Sequence, residues 1–145
     1  MRTVVESLPA VAPVACRAAL PTNAEQTLTR AIISSAIDVH RALGPGLLES
    51  AYQPCLCREL ELHGLRFRQL VELPVVHKDV KLDCSYRIDF VIEEKVVLEL
   101  KAIEEILPVH QAQLLTYLRL SGLRVGLLIN FNVPVLVDGI RRRVL

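Results

Sequence analysis

A chain of 145 residues with a formal net charge of +1 is long enough for one domain and short for two. Hydrophobic residues make up 52% of it and aromatic residues 4%, which excludes global disorder. The apolar residues are mainly Val, Leu and Ile, which favours the packed core of an α/β or α+β fold. The near-zero charge excludes a bulk basic field, so nucleic-acid binding would have to come from local patches.

The N-terminal segment and the cysteines indicate the cellular compartment. Residues 1–22 are apolar, but charged residues and three prolines interrupt them, so we interpret them as a flexible extension before a domain of residues 23–145. No stretch approaches the ~18 apolar residues of a membrane span, and no membrane partner is expected. The four cysteines form no zinc-binding pattern, and Cys55 and Cys57 are too close to pair easily. Reduced thiols are the better interpretation, which predicts a cytoplasmic protein.

Hydrophobic periodicity predicts the element order α-α-β-β-β-α-β-β. Asn23 can cap a first helix over residues 24–43, which stops at Gly44-Pro45-Gly46. A second helix over residues 48–63 ends at Gly64, and Pro54 within it predicts a kink or a later start. The remaining predictions are strands over 66–76, 86–92 and 95–101, a helix over 109–121 closed by Gly122, strands over 124–130 and 135–142, and a doubtful short strand over 80–82.

The predicted strands 86–92 and 95–101 carry charged residues where a core-forming strand has little reason to have them. With residues 93–95 as a three-residue loop, the hairpin register aligns three apolar pairs on one face of the sheet. These pairs are Ile92–Val96, Phe90–Leu98 and Ile88–Leu100. The same register places Asp89 opposite Glu99 on the other face, with Lys101 two residues further along.

Opposed carboxylates on neighbouring strands repel unless a proton or a cation lies between them. Asp89 and Glu99 are suitable oxygen ligands for a magnesium ion, and the backbone carbonyl of Leu100 could add a third oxygen. Such an ion would stabilise charge on a phosphate and lower the pKa of a bound water. Lys101 could orient or deprotonate that water, or stabilise the phosphate charge. The set favours a metal site over the alternative of a solvated edge hairpin.

Two helices supply further polar residues. Gln113 and Tyr117, at positions i and i+4, share one face of the third helix with His110. They can hydrogen-bond a metal-bound water, a catalytic carboxylate or a phosphate. Glu49 could reach the metal site from the second helix, although the helix dipole alone also favours an acid in a first turn. His40 is more often a satisfied helix-face histidine than a site residue.

These residues carry a resemblance to a known superfamily. The pattern Asp89…Glu99-x-Lys101 resembles the PD-(D/E)xK nucleases, and Gln113-x-x-x-Tyr117 resembles the accessory helix motif of their RecB-type and lambda-exonuclease-type branches. Gly46-x-x-Glu49-x-x-Tyr52, preceded by residues 39–44, resembles the motif that names the GxxExxY family of small bacterial proteins. The similarity covers residues 28–145. At the nominal Pro-Asp position this chain has Ile88-Asp89.

The resemblance implies a restriction-endonuclease-like fold, in which helices flank a central mixed sheet, and a site dependent on Mg²⁺ or Mn²⁺. It implies four site residues, and the chain offers four accessory candidates. The site residues are Glu49, Asp89, Glu99 and Lys101, and the accessory candidates are Gln113, Tyr117, His40 and Tyr52. The expected metal ligands are Asp89, Glu99, Glu49 and the carbonyl of Leu100.

Two function classes follow. The first is a metal-dependent nuclease that hydrolyses phosphodiester bonds in DNA. The second is a non-catalytic nucleic-acid- or protein-binding regulatory module on the same fold, which the near-neutral charge favours. A phosphotransfer or RNA-processing enzyme is a third class. Cations near the hairpin could hold a phosphate backbone, and a terminal arginine run offers another patch unless it is simply solvated. These are Arg66, Arg68, Lys78, Lys81 and Arg87, and residues 141–143.

Overall fold

The computed structural model describes residues 20–145, except for the side chain of Cys84. Its elements are α1 (Asn23–Leu43), α2 (Glu49–Leu62), β1 (Phe67–His77), β2 (Val80–Ile92), β3 (Val96–Lys101), α3 (Pro108–Ser121), β4 (Val125–Asn130), a 3₁₀ helix (Leu136–Gly139) and β5 (Ile140–Val144). The predicted order of helices and strands is confirmed, with the 3₁₀ helix added. Most of the predicted N-terminal extension lies outside the described residues.

The five strands form one mixed sheet in the order β1-β2-β3-β4-β5. β3 and β4 run parallel, with α3 as the crossover between them, and the other neighbouring strands are antiparallel. Almost every residue of β3 and β4 is buried, as expected for strands covered on both faces. The predicted architecture of a central mixed sheet flanked by helices is confirmed.

Each face of the sheet has its own core. The core under α1 and α2 includes Ile32, Tyr52, Leu56, Phe90 and Leu98. The core under α3 includes Val71, Ile88, Val97, Leu114 and Leu128. The sheet is therefore the middle layer of three, and polar groups at its edge can be reached by helices from both sides.

Several predicted boundaries are wrong for identifiable reasons. The N-cap of α1 is Thr22 rather than Asn23, because Thr22 and Glu25 form a reciprocal capping box. α2 continues through Pro54 without the predicted later start. The exposed ring of Pro54 lies on the side of the helix opposite its buried residues. The doubtful strand over 80–82 is part of one long β2. The predicted strand over 135–142 begins with a 3₁₀ helix, since Gly139 passes so close to β4 that a Cβ atom would lie 2.2 Å from the carbonyl oxygen of Asn130.

The predicted hairpin register is confirmed for Phe90–Leu98 and Ile92–Val96, but not for the pair of Ile88 with Leu100. Ile88 packs in the core under α3, whereas Leu100 packs under α1 and α2. The prediction failed because the alternation of side chains changes phase within β2.

The same change of phase occurs in β1. Phe67 packs under α1 and α2, and Val71 packs under α3, although an unbroken strand would put both on one face. Between them, Leu70 has a φ of 50°, a left-handed conformation that is unusual for a leucine in a strand. The register places Leu70 between the pairs Gln69–Phe90 and Val71–Ile88, level with Asp89. In both strands of the hairpin, the side chains therefore change the face of the sheet on which they pack at the level of Asp89.

The loop between α1 and α2 is held by Tyr52. Its hydroxyl donates to the carbonyl oxygen of Gly44 at 2.6 Å and accepts from the N–H of Leu47 at 3.3 Å. Gly46 has a φ of 94°, where a residue with a Cβ would be strained. The ring of Tyr52 stacks on Phe131 with centroids 4.5 Å apart. Two residues of the Gly46-x-x-Glu49-x-x-Tyr52 motif thus shape the loop that leads into Glu49.

Replacing Tyr52 with Phe should lower the free energy of unfolding by about 1–2 kcal/mol, because the carbonyl of Gly44 loses its donor. Urea denaturation measures this loss. Tyr117→Phe is the matched control, since no residue within 20–145 hydrogen-bonds the Tyr117 hydroxyl. An equal loss of stability in the two variants would contradict this role for Tyr52.

Candidate active site

Asp89 and Glu99 join β2 and β3 where the regular ladder ends. The N–H of Asp89 donates to Oε1 of Glu99 at 2.9 Å, and the N–H of Leu100 donates to Oδ2 of Asp89 at 2.9 Å. Each carboxylate therefore uses one oxygen to bond the backbone of the opposite strand. Its second oxygen remains for the neighbouring carboxyl group or for a cation. The two acids are cross-strand neighbours, as the register predicts.

Burial raises the energetic cost of charging both acids of this pair. Glu99 is 4% exposed. Burial, followed by the charge of Asp89, raises the pKa of Glu99 to about 8. Burial also raises the pKa of Asp89, against the lowering effects of the Leu100 N–H and of Lys101. Two such groups cannot both be charged at neutral pH at low cost, so the pair requires a proton or a cation.

Glu49 approaches the pair from α2. It is the first residue of that helix and is half-buried. Burial raises its pKa, the charge of Asp89 raises it further, and the charge of Lys101 lowers it. The two Coulombic effects are consistent with the predicted approach of Glu49 to Asp89 and Lys101. The helix dipole acts at the same place, but burial distinguishes Glu49 from a surface acid.

The two carboxyl groups suit a hard divalent cation that takes its other ligands from water or substrate. Within residues 20–145, no three His, Cys, Asp or Glu side chains gather closely enough to hold an ion by themselves. Magnesium is commonly bound by one or two carboxylates, with waters and substrate phosphates completing its shell. Asp89 and Glu99 meet that requirement. Leu100 contributes its N–H here, and a metal-binding role for its carbonyl remains a prediction.

A cavity of about 510 Å³ lies at the end of β3, where Lys101 follows Glu99 by two residues. Its walls come from β2, the end of β3 and one face of α3. They are formed by Tyr86, Lys101, Val109, His110, Ala112, Gln113, Thr116 and Tyr117. Within residues 20–145, the Lys101 ammonium has no ion pair, and the Gln113 amide and the Tyr117 hydroxyl have no hydrogen bond. These three groups are therefore available to a ligand.

Tyr117 connects the cavity to the acids. Burial, followed by the charges of Glu99 and Asp89, raises the pKa of Tyr117 to about 12. The hydroxyl therefore keeps its proton and can donate a hydrogen bond. Its ring meets that of Tyr86 with centroids 5.8 Å apart. Tyr86 lies in the cavity wall but is not among the predicted site residues, and only its position three residues before Asp89 on the same strand could have indicated it.

His40 and Tyr52 lie in the scaffold rather than in the cavity wall. Nε2 of His40 bonds the carbonyl oxygen of Val133 at 2.8 Å, and Tyr52 holds the loop before α2. A further scaffold residue, buried Asn130, was missed by the sequence reasoning. It accepts from the N–H of Ile103 at 3.1 Å and donates to the carbonyl of Ile103 at 2.9 Å, which ties the loop after β3 to the end of β4.

Some predicted phosphate-binding cations are already paired. Arg66 contacts Glu93 at 3.3 Å, and Arg68 makes two hydrogen bonds to Glu94 at 2.7 and 2.8 Å. Arg143 in the terminal run bonds the side chain of Gln111. Lys78, Lys81 and Arg87 remain exposed on the hairpin. Of the predicted cations, Arg66 and Arg68 are therefore the two that are paired with acids within residues 20–145, and the hydrogen bond of Arg143 to a neutral amide leaves its charge uncompensated there.

The comparisons with known proteins place the chain in a class. The family model of the PD-(D/E)XK nuclease superfamily matches residues 26–143, and the chain belongs to that superfamily. No curated protein and no solved structure matches it. None of the helices within residues 20–145 is long and apolar enough to cross a membrane.

The raised pKa of Glu99 predicts that the metal-free protein loses stability as the pH rises from about 5 to 8. Glu99 holds its proton to about pH 8 when folded but only to about 4.5 when unfolded. Between these pH values the folded state binds more protons than the unfolded state. The contribution of Glu99 to the free energy of unfolding therefore falls by at most about 1.4 kcal/mol per pH unit as the pH rises. Urea denaturation with EDTA at several pH values measures the slope.

Glu99→Gln should flatten that slope, because the amide oxygen still accepts from the Asp89 N–H but does not titrate. Glu104→Gln, at an exposed acid, is the matched control and should keep the wild-type slope. Identical slopes in all three proteins would show that Glu99 is already charged at neutral pH in the folded state.

Proposed function

We propose that the protein is a Mg²⁺- or Mn²⁺-dependent nuclease that hydrolyses phosphodiester bonds in DNA. One observation carries the proposal: the paired carboxyl groups of half-buried Asp89 and buried Glu99 are on the two strands that, with α3, line a cavity in which the side chains of Lys101, Gln113 and Tyr117 have no polar partner within residues 20–145. A structural ion pair would satisfy its groups internally. Here two acids need a cation, and a lysine, an amide and a phenol face a space that a substrate can enter.

Asp89 and Glu99 would hold the metal, with Glu49 beside them and the Leu100 carbonyl as a candidate further oxygen. When bound, the metal supplies charge stabilisation at the phosphate and a more acidic water. Lys101 lies two residues beyond Glu99 on β3, where its ammonium can orient or deprotonate the attacking water or bond the phosphate.

Gln113 and Tyr117 act from α3. They are one helical turn apart on the cavity wall, so both can donate hydrogen bonds to the same phosphate group. The raised pKa of Tyr117 keeps the proton on its hydroxyl at any pH at which the protein would work. These contacts would hold the scissile phosphate against the acids without taking part in proton transfer.

Within the superfamily, we place the chain in the GxxExxY family on the strength of Gly46, Glu49 and Tyr52. The contacts of Tyr52 support this placement, since its hydroxyl bonds the loop that contains Gly46 and leads into Glu49. The free thiols of Cys55 and Cys57 support a reducing compartment such as the cytoplasm.

Asp89→Asn should weaken Mn²⁺ binding about tenfold or more, because it removes an anionic oxygen while its amide oxygen can still accept from the Leu100 N–H. Isothermal titration measures the affinity. Asp83→Asn changes an exposed acid on the same strand and should bind as the wild type does. Equal affinities in all three proteins would remove Asp89 from the metal site.

Lys101→Ala should leave Mn²⁺ affinity largely intact and lower kcat by roughly 10²-fold or more, because Lys101 acts on the water or on the developing charge. Tyr117→Phe should cause a smaller loss. Initial rates on labelled single-stranded DNA, duplex DNA and RNA test this order. Full activity in both the Asp89 and the Lys101 variants would indicate a contaminant or a different active site.

The second candidate is a non-catalytic binding module on the same fold. The absence of a three-acid cluster within residues 20–145 favours it. Wild-type protein that binds neither Mg²⁺ nor Mn²⁺ and cleaves no nucleic acid would establish this alternative over the nuclease.

A further inference from the structure

Tyr86 presents an aromatic ring to the cavity without being part of the core. It is 44% exposed, whereas Tyr117 behind it is 4% exposed. The two rings are tilted by 54° with centroids 5.8 Å apart, so Tyr117 supports Tyr86 from one side. The backbone of Tyr86 is fixed by its pairing with Leu73 in β1. An exposed ring held this firmly is a platform on which a planar group can stack.

The remainder of the cavity wall suits a nucleotide. Lys101 is its single ionised side chain, and no acid is among the eight wall residues. Gln113 and Thr116 offer both donors and acceptors. Nδ1 of His110 accepts from the Leu107 N–H at 2.9 Å, so a neutral His110 carries its proton on Nε2 and is a donor there. The volume of about 510 Å³ is within the range of small-ligand sites.

The position of the ring decides which form of DNA it can meet. In a duplex, both faces of every internal base are covered by neighbouring bases, so a protein ring can stack only on a base at a strand end or on one that has left the helix. Aromatic residues beside a positively charged groove are the usual means of binding unpaired strands. Since Tyr86 is three residues from Asp89 on β2, a base stacked on it would lie next to the phosphate at the acids.

We propose that the cavity binds one unpaired nucleotide with its base on Tyr86, so that single-stranded DNA and frayed or flap ends are preferred over intact duplex. The proposal rests on the proposed nuclease function for its choice of ligand, but it concerns binding and can be tested separately from cleavage. Lys101 and Gln113 would contact the phosphate side of the nucleotide. Tyr86 would supply the stacking contact that a paired base cannot accept.

The test compares binding of a fluorescein-labelled oligonucleotide, single-stranded or in a blunt duplex, by anisotropy with Mn²⁺. The oligonucleotide carries cleavage-resistant phosphorothioate linkages, so the protein keeps Lys101 in the cavity. We expect at least tenfold tighter binding of the single strand by the wild type, and about tenfold weaker binding by Tyr86→Leu. Tyr86→Phe keeps the ring and should leave the affinity unchanged. Leu82→Ala, at another exposed side chain of β2, is the matched control.

A second readout reports stacking directly. An oligonucleotide with 2-aminopurine at its end should lose fluorescence on binding protein with Tyr86 intact or with Tyr86→Phe, but not on binding the Tyr86→Leu protein. Equal binding of single strand and duplex, no binding of either, or an equal effect of Tyr86→Leu on both would overturn the proposal. Tyr86-dependent binding of the single strand by wild-type protein that cleaves nothing would sustain it and refute the nuclease function instead.

Discussion

The crossed hydrogen bonds between Asp89 and Glu99 are the constraint on which the rest of the site depends. They replace the regular ladder beyond the Phe90–Leu98 pair, so the strands stay joined while two carboxylates lie side by side. Two backbone donors are satisfied, but among residues 20–145 Lys101 is the one cation whose charge acts on both acids. The fold thus holds two acids whose simultaneous charge is costly, and a proton or a cation between them would lower that cost.

The neighbouring elements are arranged around that pair. The phase change at Leu70 turns the outer half of the β1–β2 hairpin towards α3, which brings Tyr86 against Tyr117. On the other side of the sheet, Tyr52 ties the start of α2 to Phe131, and His40 ties the end of α1 to Val133, so both helices are anchored to the segment after β4. These contacts hold Glu49 near the acids. The most recognisable sequence motif is therefore largely scaffold, with one residue directed at the chemistry.

Features that depend on residues close together in the sequence could be predicted, whereas features that depend on residues far apart in the sequence could not. Hydrophobic alternation located the strands and the register of Phe90 with Leu98, because both follow from local pattern. The face of Ile88 could not be predicted, since it depends on a left-handed Leu70 in another strand. The pairing of Arg68 with Glu94 joins residues 26 positions apart, so no local sequence pattern predicts it. The acids of the site were found because a buried carboxylate violates the local pattern.

The distribution of charge sets how such a site can bind a polyanion. The chain has a net charge of +1, and Arg66 and Arg68 are neutralised by their own ion pairs. Lys78, Lys81 and Arg87 stay exposed on the hairpin, so cations remain that could contact phosphates, but no bulk basic field surrounds them. A metal and uncharged contacts would add to what these cations contribute. The stacking contact proposed for Tyr86 would be one such uncharged contact, because its contribution does not depend on the number of cations around the site.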